Sequence, residues 1–520
     1  MDRPQGVSST LANQRETLFG VLQNNFQARA CERAVVTRDG SVLTFGELNR
    51  RSAQFANVLK SLGLAPGDRV AAQTNKCVNA VVLYVACLRT GAIYVPINPG
   101  YKERETLYVV ADATPAIFVG SADKRVELAA WFEAAQRRGE LEESPILISL
   151  QDEPSSIAEV AELAIDNDEP ALKRPDDPAI LLYTSGTTGK PKGAILSERA
   201  LVSNAQTLIK IWNVRSDDRI IHCLPFFHAH GLFVVANVAL LAGSSMHWLE
   251  RFDVDVVLDE LSRATIFMGV PTLYKRLLAS HQLGRQPMSV RLFLSGSAAL
   301  SPQLHAEFNE QTGREIVERY GMSETGINAS NPLAGAKRPG SVGFPLPDIQ
   351  IRIKGAAGKA LVEGEVEIRG RNLFTGYWRK QNETEAAMTA DGWFSTGDVG
   401  RFDEDGYLWL LSRKKDVIIT GGYNVYPAEV EGILLEHKDV VEAAVFGAPH
   451  PEYGECVVAA VVLMLGASFD EAKMLQWVAD SAVGYKVPKR LVEIPAIPRN
   501  TLGKVLTAEL RGQFADVFRV

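Results

Sequence analysis

Short apolar runs alternate with longer segments of helical spacing from the start of the chain. Leu18, Val21, Leu22 and Phe26 fall on one face of a 3.6-residue period and predict a helix over 17–30. Ala34-Val35-Val36-Thr37 follows as a strand ending at Asp39-Gly40. Thr44 with Glu47 three residues on is a capping box that opens the next helix. After the turn Pro66-Gly67-Asp68, Arg69-Val70-Ala71-Ala72 reads as a strand, 79–90 as a helix and 91–97 as another buried strand. This alternation predicts an α/β fold with mixed, largely parallel sheets and helices.

The run 124–177 is charged and irregular and predicts a surface excursion. The sheet resumes at Ala179-Ile180-Leu181-Leu182, and buried strands are expected at 220–224, 266–270, 292–295 and 316–320. Each runs into a loop rich in Gly, Ser, Pro or His. Ligands of open α/β sheets lie at the carboxyl ends of strands, so these loops should converge on one site. The apolar stretch 231–243 contains Asn237 and is too short to span a bilayer, so it reads as a buried helix and no membrane span is expected. From 349 to 411 the texture changes to short alternating strands and turns, predicting a small β-rich subdomain at about 340–411 within an N-terminal domain of 1–411. A further α/β segment, 417–520, is large enough to be its own domain.

A chain of 520 residues is too long for a single core, which agrees with two domains. A net charge of −7 argues against a nucleic-acid partner and requires any anionic ligand to be held by a local cluster. The five cysteines, Cys31, Cys77, Cys87, Cys223 and Cys456, include no C-x-x-C pair, so neither a disulfide framework nor a zinc site is expected. The first thirty residues lack an apolar h-region. A cytoplasmic location is expected, with a mitochondrial matrix location left open, and no oligomeric state is implied.

The strongest chemical signal is the stretch Tyr183-Thr184-Ser185-Gly186-Thr187-Thr188-Gly189-Lys190-Pro191-Lys192-Gly193. Its glycines let backbone N–H groups approach an anion, its hydroxyls can donate to phosphate oxygens, and its lysines supply charge. Pro191 after Gly189-Lys190 breaks the Walker A spacing, so this is a phosphate loop of another kind.

That stretch, with Leu88-Arg89-Thr90-Gly91-Ala92-Ile93-Tyr94-Val95-Pro96, Tyr320-Gly321-Met322-Ser323-Glu324, Ser395-Thr396-Gly397-Asp398, Arg413-Lys414-Lys415-Asp416 and Pro498-Arg499-Asn500-Thr501-Leu502-Gly503-Lys504, resembles the acyl-adenylate-forming superfamily, which includes acyl-CoA synthetases and peptide-synthetase adenylation domains. The resemblance implies two steps: ATP converts a carboxylate to an acyl-adenylate, and the thiol of coenzyme A displaces AMP. It implies ATP, Mg²⁺ and coenzyme A as ligands. Thr184, Ser185, Gly186, Thr187, Thr188, Gly189 and Lys192 would hold the terminal phosphates, with Ser297, Gly321 and Ser323 also at the nucleotide. Ser323 stands where the family usually has threonine. Tyr320 would stack on adenine, Asp398 and Arg413 would hold the ribose, and Glu324 would ligate Mg²⁺. Lys504 and His228 would act in catalysis. Residues 412–416 would be a hinge centred on Lys415, and Gly421 and Gly422 would line the coenzyme A tunnel.

The expected acyl pocket is unusually polar. Arg319, His230 and Ser297 stand where relatives with bulky substrates carry glycine, alanine or apolar residues. An unpartnered guanidinium is costly to bury, so a second carboxylate on the substrate is its natural partner. The combination is most similar to malonyl-CoA synthetases. Internal pairing of Arg319 with Glu318 or Glu324 is the competing reading. Methylmalonate, oxalate or another small acid remains open as substrate, as do a carrier-protein-loading domain and a regulator without catalysis.

Overall fold

The computed structural model describes residues 16–518 except 152, 168, 185–190, 286, 358, 451 and 501–502. Thr17 caps the first helix, Leu18–Ala28, and the capping box at Thr44 and Glu47 opens Phe45–Ser61.

Two large sheets share one core. The first has the order Gly376–Tyr377, Lys192–Ser197, Pro178–Thr184, Ile93–Pro96, Arg69–Gln73, Ile117–Gly120, Ile146–Ser149, and is parallel from Pro178–Thr184 onward. The second runs through Arg219–His222, Ile266–Gly269, Leu292–Ser295 and Ile316–Met322 in parallel. It then continues antiparallel through Gly326–Ser330, Ser341–Pro345, Leu408–Arg413, Phe394–Phe402 and Gly364–Gly370 to Ile349–Ile353.

Strand alternation explains the layers. Val70, Tyr94, Ile180, Ile220, Ile266 and Leu294 enter the shared core with the buried helix Val78–Thr90. Their neighbours Ala71, Val95 and Leu181 face the outer helices of the first sheet, and Ile221, Phe267 and Phe293 face those of the second. Strands buried on both faces read as unbroken apolar runs.

The segment 124–177 is a correction to the sequence reading. It holds the helix Arg125–Arg137, the strand Ile146–Ser149 and the helix Ile157–Glu162, and the strand pairs parallel with Ile117–Gly120. Leu128, Phe132 and Ala135 are buried at helical spacing, but the charged residues between them hide the period. An edge strand with one partner also needs only a short apolar run.

The stretch 231–243 is helical as expected, but His230–Asn237 is wound as a π-helix before Val238–Ala242 continues as α-helix. Asn237 is buried there, accepting from the Tyr84 hydroxyl at 2.9 Å. Among the described residues no helix is long and apolar enough to cross a membrane.

A third sheet, Tyr423–Val425, Ile418–Thr420, Gly454–Leu463 and Val440–His450, with Arg490–Glu493 on Gly454–Leu463, follows the turn Lys414–Asp416. One of its faces packs Val445, Val457 and Ala459 under the helices Pro427–Leu435 and Glu471–Ser481. The other packs Phe446 and Val458 against Leu510. The resulting fold is α/β, with a large N-terminal part of mixed sheets and a smaller C-terminal part.

Candidate active site

The strand Ile316–Met322 lies at the centre of the site. Alternation sends Arg319 to one face and Glu318 and Tyr320 to the other, and Gly321 allows the close return of the next strand. A Cβ at Gly321 would stand 2.3 Å from the Gly326 carbonyl oxygen. Tyr320 donates its hydroxyl to Asp398 Oδ2, and Arg413 Nε lies 2.8 Å from Asp398 Oδ1. Asp398 and Arg413 are cross-strand partners, so the sheet register fixes this pair. Burial raises the Asp398 pKa, with the Arg413 charge opposing it.

Glu324 is buried, and its Oε1 accepts from the Tyr377 hydroxyl at 3.0 Å. Burial raises its pKa. Lys192 Nζ sits over the same tyrosine ring, 5.2 Å from its centroid. Thr184 and Lys192 are cross-strand partners in the antiparallel strands Pro178–Thr184 and Lys192–Ser197, which flank the phosphate stretch in sequence. Ser185, Gly186, Thr187, Thr188, Gly189 and Lys190 lie outside the described residues. Ser323 is half-buried in the turn that follows Met322.

Lys504 is exposed yet lies within electrostatic reach of Arg413, Asp398, Lys415 and Asp416; partial desolvation and then the Arg413 charge lower its pKa, with Asp398 opposing. Its backbone N–H donates to Asn500 Oδ1 at 3.0 Å. Lys415 is exposed in the turn Lys414–Asp416. Gly421 and Gly422 form an exposed hairpin turn at φ +56° and +86°, a conformation that favours glycine. Nothing lies within 4 Å of a Cβ built at Gly422, so backbone conformation rather than crowding accounts for glycine in this arrangement.

Arg319, His230, Ser297 and His228 come together on the other side of the central strand. Arg319 is 5% exposed, its Nε and Nη2 have no hydrogen-bond partner, and no carboxylate among the described residues pairs with it. Burial pushes its pKa down to about 9, leaving it charged at neutral pH. Glu318 faces away, accepting from the Leu300 N–H at 3.0 Å, and Glu324 is bound by Tyr377. Ser297 Oγ lies 3.3 Å from His230 Nδ1, while His230 Nε2 is buried without a partner. Burial, then the Arg319 charge, holds His228 down at about 4 and His230 well below its ordinary value, so both rings are neutral at pH 7.

Local structure builds this pocket. The His222 Nε2–H donates to the Gly231 carbonyl at 3.0 Å, fixing the start of the π-helix that aims His230 inward. A Cβ at Gly231 would lie 2.1 Å from the Pro225 carbonyl oxygen. Gly296 is the floor under the guanidinium: a Cβ there would stand 2.6 Å from Arg319 Cζ and Nε. Ser297 holds φ +70°, which is uncommon for a residue with a side chain and places its hydroxyl beside His230.

Sequence reasoning did not single out Tyr377, His222 or the floor at Gly296. Tyr377 follows Gly376 in Phe374-Thr375-Gly376-Tyr377-Trp378, an aromatic and glycine cluster that was the available signal. A cavity of about 580 Å³ is lined in part by Pro225, Phe226 and Phe227, which precede His228, and by Lys76, Arg251 and Arg276. Lys76 is half-buried, with its Nζ donating to the His222 carbonyl at 2.7 Å and lying over the Trp248 ring.

The chain matches the AMP-binding enzyme family over residues 22–378 and the AMP-binding enzyme C-terminal domain over 429–504. It belongs to the AMP-binding enzyme family. Among curated relatives it is 31% identical to a malonate–CoA ligase of Arabidopsis thaliana, over 96% of this chain and 90% of that protein. It is also 32% identical to a long-chain-fatty-acid–CoA ligase of Bacillus subtilis, over 98% of this chain and 96% of that protein. Among solved structures, ATP-bound MatB from Rhodopseudomonas palustris superposes with TM-score 0.92 at 42% identity, covering 97% of this chain and all of that one. As a member of this family the protein is an ATP-dependent, AMP-forming acid–CoA ligase, with ATP and coenzyme A among its small-molecule substrates.

Proposed function

We propose that the acid is malonate. The observation that carries this reading is the buried guanidinium of Arg319, charged and without a protein anion, beside two neutral histidines and the Ser297 hydroxyl. A fatty or aryl tail would leave that charge unpaired, whereas a second carboxylate can accept two parallel N–H bonds from it. Ser297 and His230 complete a short polar pocket suited to a three-carbon diacid.

In the first step a malonate carboxylate oxygen attacks the α-phosphorus of ATP, and the bond to pyrophosphate breaks. Lys504 offsets the charge that grows on the α-phosphate and the attacking carboxylate, where preorganised charge is most effective. Thr184, the glycines and hydroxyls of 185–189, and Lys192 hold the outgoing phosphates. Asp398 and Arg413 orient the ribose, and Tyr320 covers the adenine. In the second step the sulfur of coenzyme A attacks the acyl carbon, the C–O bond to AMP breaks, and the thiol proton leaves to solvent. Residues 417–520 turn about Lys415 between the steps, bringing Gly421 and Gly422 to the thiol's path. The cavity carries Arg251 and Arg276 beside a single carboxylate, Glu250, and those two guanidinium groups suit an anionic, elongated co-substrate.

Glu324 fits the magnesium ion that the family implies, being a buried hard-oxygen ligand whose ionised form a cation would favour. The ion offsets negative charge on phosphate oxygens when bound. Among the described residues no group of three or more His, Cys, Asp or Glu is placed to hold a metal, and a magnesium ion that shares phosphate oxygens and waters needs only one or two carboxylates.

The test is coenzyme-A-dependent AMP formation with malonate, methylmalonate, oxalate, acetate and octanoate. Malonate is expected to be the best substrate. Preference for acetate or octanoate would overturn the pocket reading, while preference for methylmalonate or oxalate would keep it and change only the diacid.

A further inference from the structure

The turn that carries Lys504 is tied to the large N-terminal part at two points on one helix. In that helix, Pro271–Ala279, Lys275 Nζ lies 2.6 Å from Glu442 Oε1 of the strand Val440–His450. The other oxygen, Glu442 Oε2, lies 3.0 Å from Arg499 Nη2, and Arg499 Nη1 donates to the Gly503 carbonyl at 2.8 Å. Gly503 is the residue before Lys504. Its φ is +79°, and a Cβ there would come within 3.0 Å of Thr272, one helical turn before Lys275. Inside the turn, Asn500 closes onto Lys504 through both its backbone N–H and its side-chain oxygen, at 2.9 and 3.0 Å.

We infer that Glu442 is a positioning residue for Lys504: its carboxylate bridges Lys275 and Arg499 and so seats the lysine turn against the helix Pro271–Ala279. In this structure the bridge accompanies the approach of Lys504 to Asp398 and Arg413. Lys275 and Glu442 belong to parts that separate when the C-terminal part turns, so the bridge favours adenylate formation and must open for thioester formation. The three side chains are 26–44% exposed, so each contact is screened and weak enough to break every turnover. This inference rests on Lys504 serving the adenylation step.

The test separates the half-reactions in the full chain. Glu442→Gln removes the charge at constant shape, and Lys275→Met removes only the leg to the large part. Each is expected to slow ATP–pyrophosphate exchange about two- to fivefold, as loss of a half-exposed ionic bridge would. Both should leave the apparent KM for the acid and the melting temperature near wild type. Transfer to coenzyme A from the presynthesised acyl-adenylate of whichever acid the wild type activates should be unchanged or faster. The double variant should be no slower than the slower single one, because both break one bridge. Unaltered exchange in both variants would overturn the inference, as would equal loss of the two half-reactions. Lys504→Ala is the control. If it abolishes exchange while the bridge variants match wild type, only the bridge falls; if it leaves exchange intact, the lysine assignment and the bridge fall together.

Discussion

Replacing Arg319 by methionine removes a buried guanidinium while keeping a long, flexible side chain, and it sets the effects on activity and stability against each other. In the proposed complex the guanidinium is the main partner of the distal carboxylate. Losing one partner of a buried, hydrogen-bonded charge pair costs about 2–5 kcal/mol, or roughly 30-fold to several thousand-fold in kcat/KM for malonate. In the unliganded protein the same side chain is 5% exposed with two unpartnered nitrogens and no carboxylate to offset its burial. Removing it should therefore leave the protein as stable or more stable, by on the order of 1–3 kcal/mol. The assay pairs malonate-dependent pyrophosphate exchange with thermal unfolding in the absence of ligand. The predicted result is lost malonate activation, an equal or higher melting temperature, and no further thermal shift on adding malonate. A lower melting temperature with an unchanged malonate KM would refute the reasoning, because that is the signature of a structural ion pair.

Two further predictions test the site from other sides. Gly296→Ala places a methyl group 2.6 Å from the Arg319 Cζ, so the guanidinium must move by about 1 Å, a misplacement that can cost about a hundredfold. The malonate KM should rise while the ATP KM stays constant, and kinetics equal to wild type would show that the floor is not needed. The Lys504 pKa is lowered from 10.5, and an ammonium is charged below its pKa, so kcat/KM for ATP, which reports the free enzyme, should fall on the alkaline side before an ordinary lysine would titrate. Lys504→Arg should move that fall to higher pH at a reduced rate, and an unmoved alkaline limb would assign it to another group.

The parallel strands were legible because burial on both faces leaves unbroken apolar runs such as Ile180-Leu181-Leu182 and Leu292-Phe293-Leu294. The helix Arg125–Arg137 and the edge strand Ile146–Ser149 were not, because an outer layer buries few residues and surrounds them with charge. At the site, strand alternation alone would separate Arg319 from Glu318, and the structure places them on opposite faces. The meeting of Arg319 with His230 and Ser297 joins a strand, a π-helix and a loop from three separate stretches of the chain, and local pattern carries no distance between them. Gly296 matters through its approach to Arg319, and Tyr377 through Glu324 and Lys192, all far away in sequence, so neither leaves a periodic signal. The π-helical turn at His230 depends on Gly231 lying against the Pro225 carbonyl, a contact that composition does not announce.

The central claim is that the pocket is built for a second carboxylate, and the most direct measurement compares malonate with propanoate, which lacks only that group's charge and hydrogen-bonding oxygens. With a buried charge pair worth about 2–5 kcal/mol, kcat/KM for coenzyme-A-dependent AMP formation should favour malonate by roughly 30-fold to several thousand-fold. A ratio near one, or a preference for propanoate, would contradict the account.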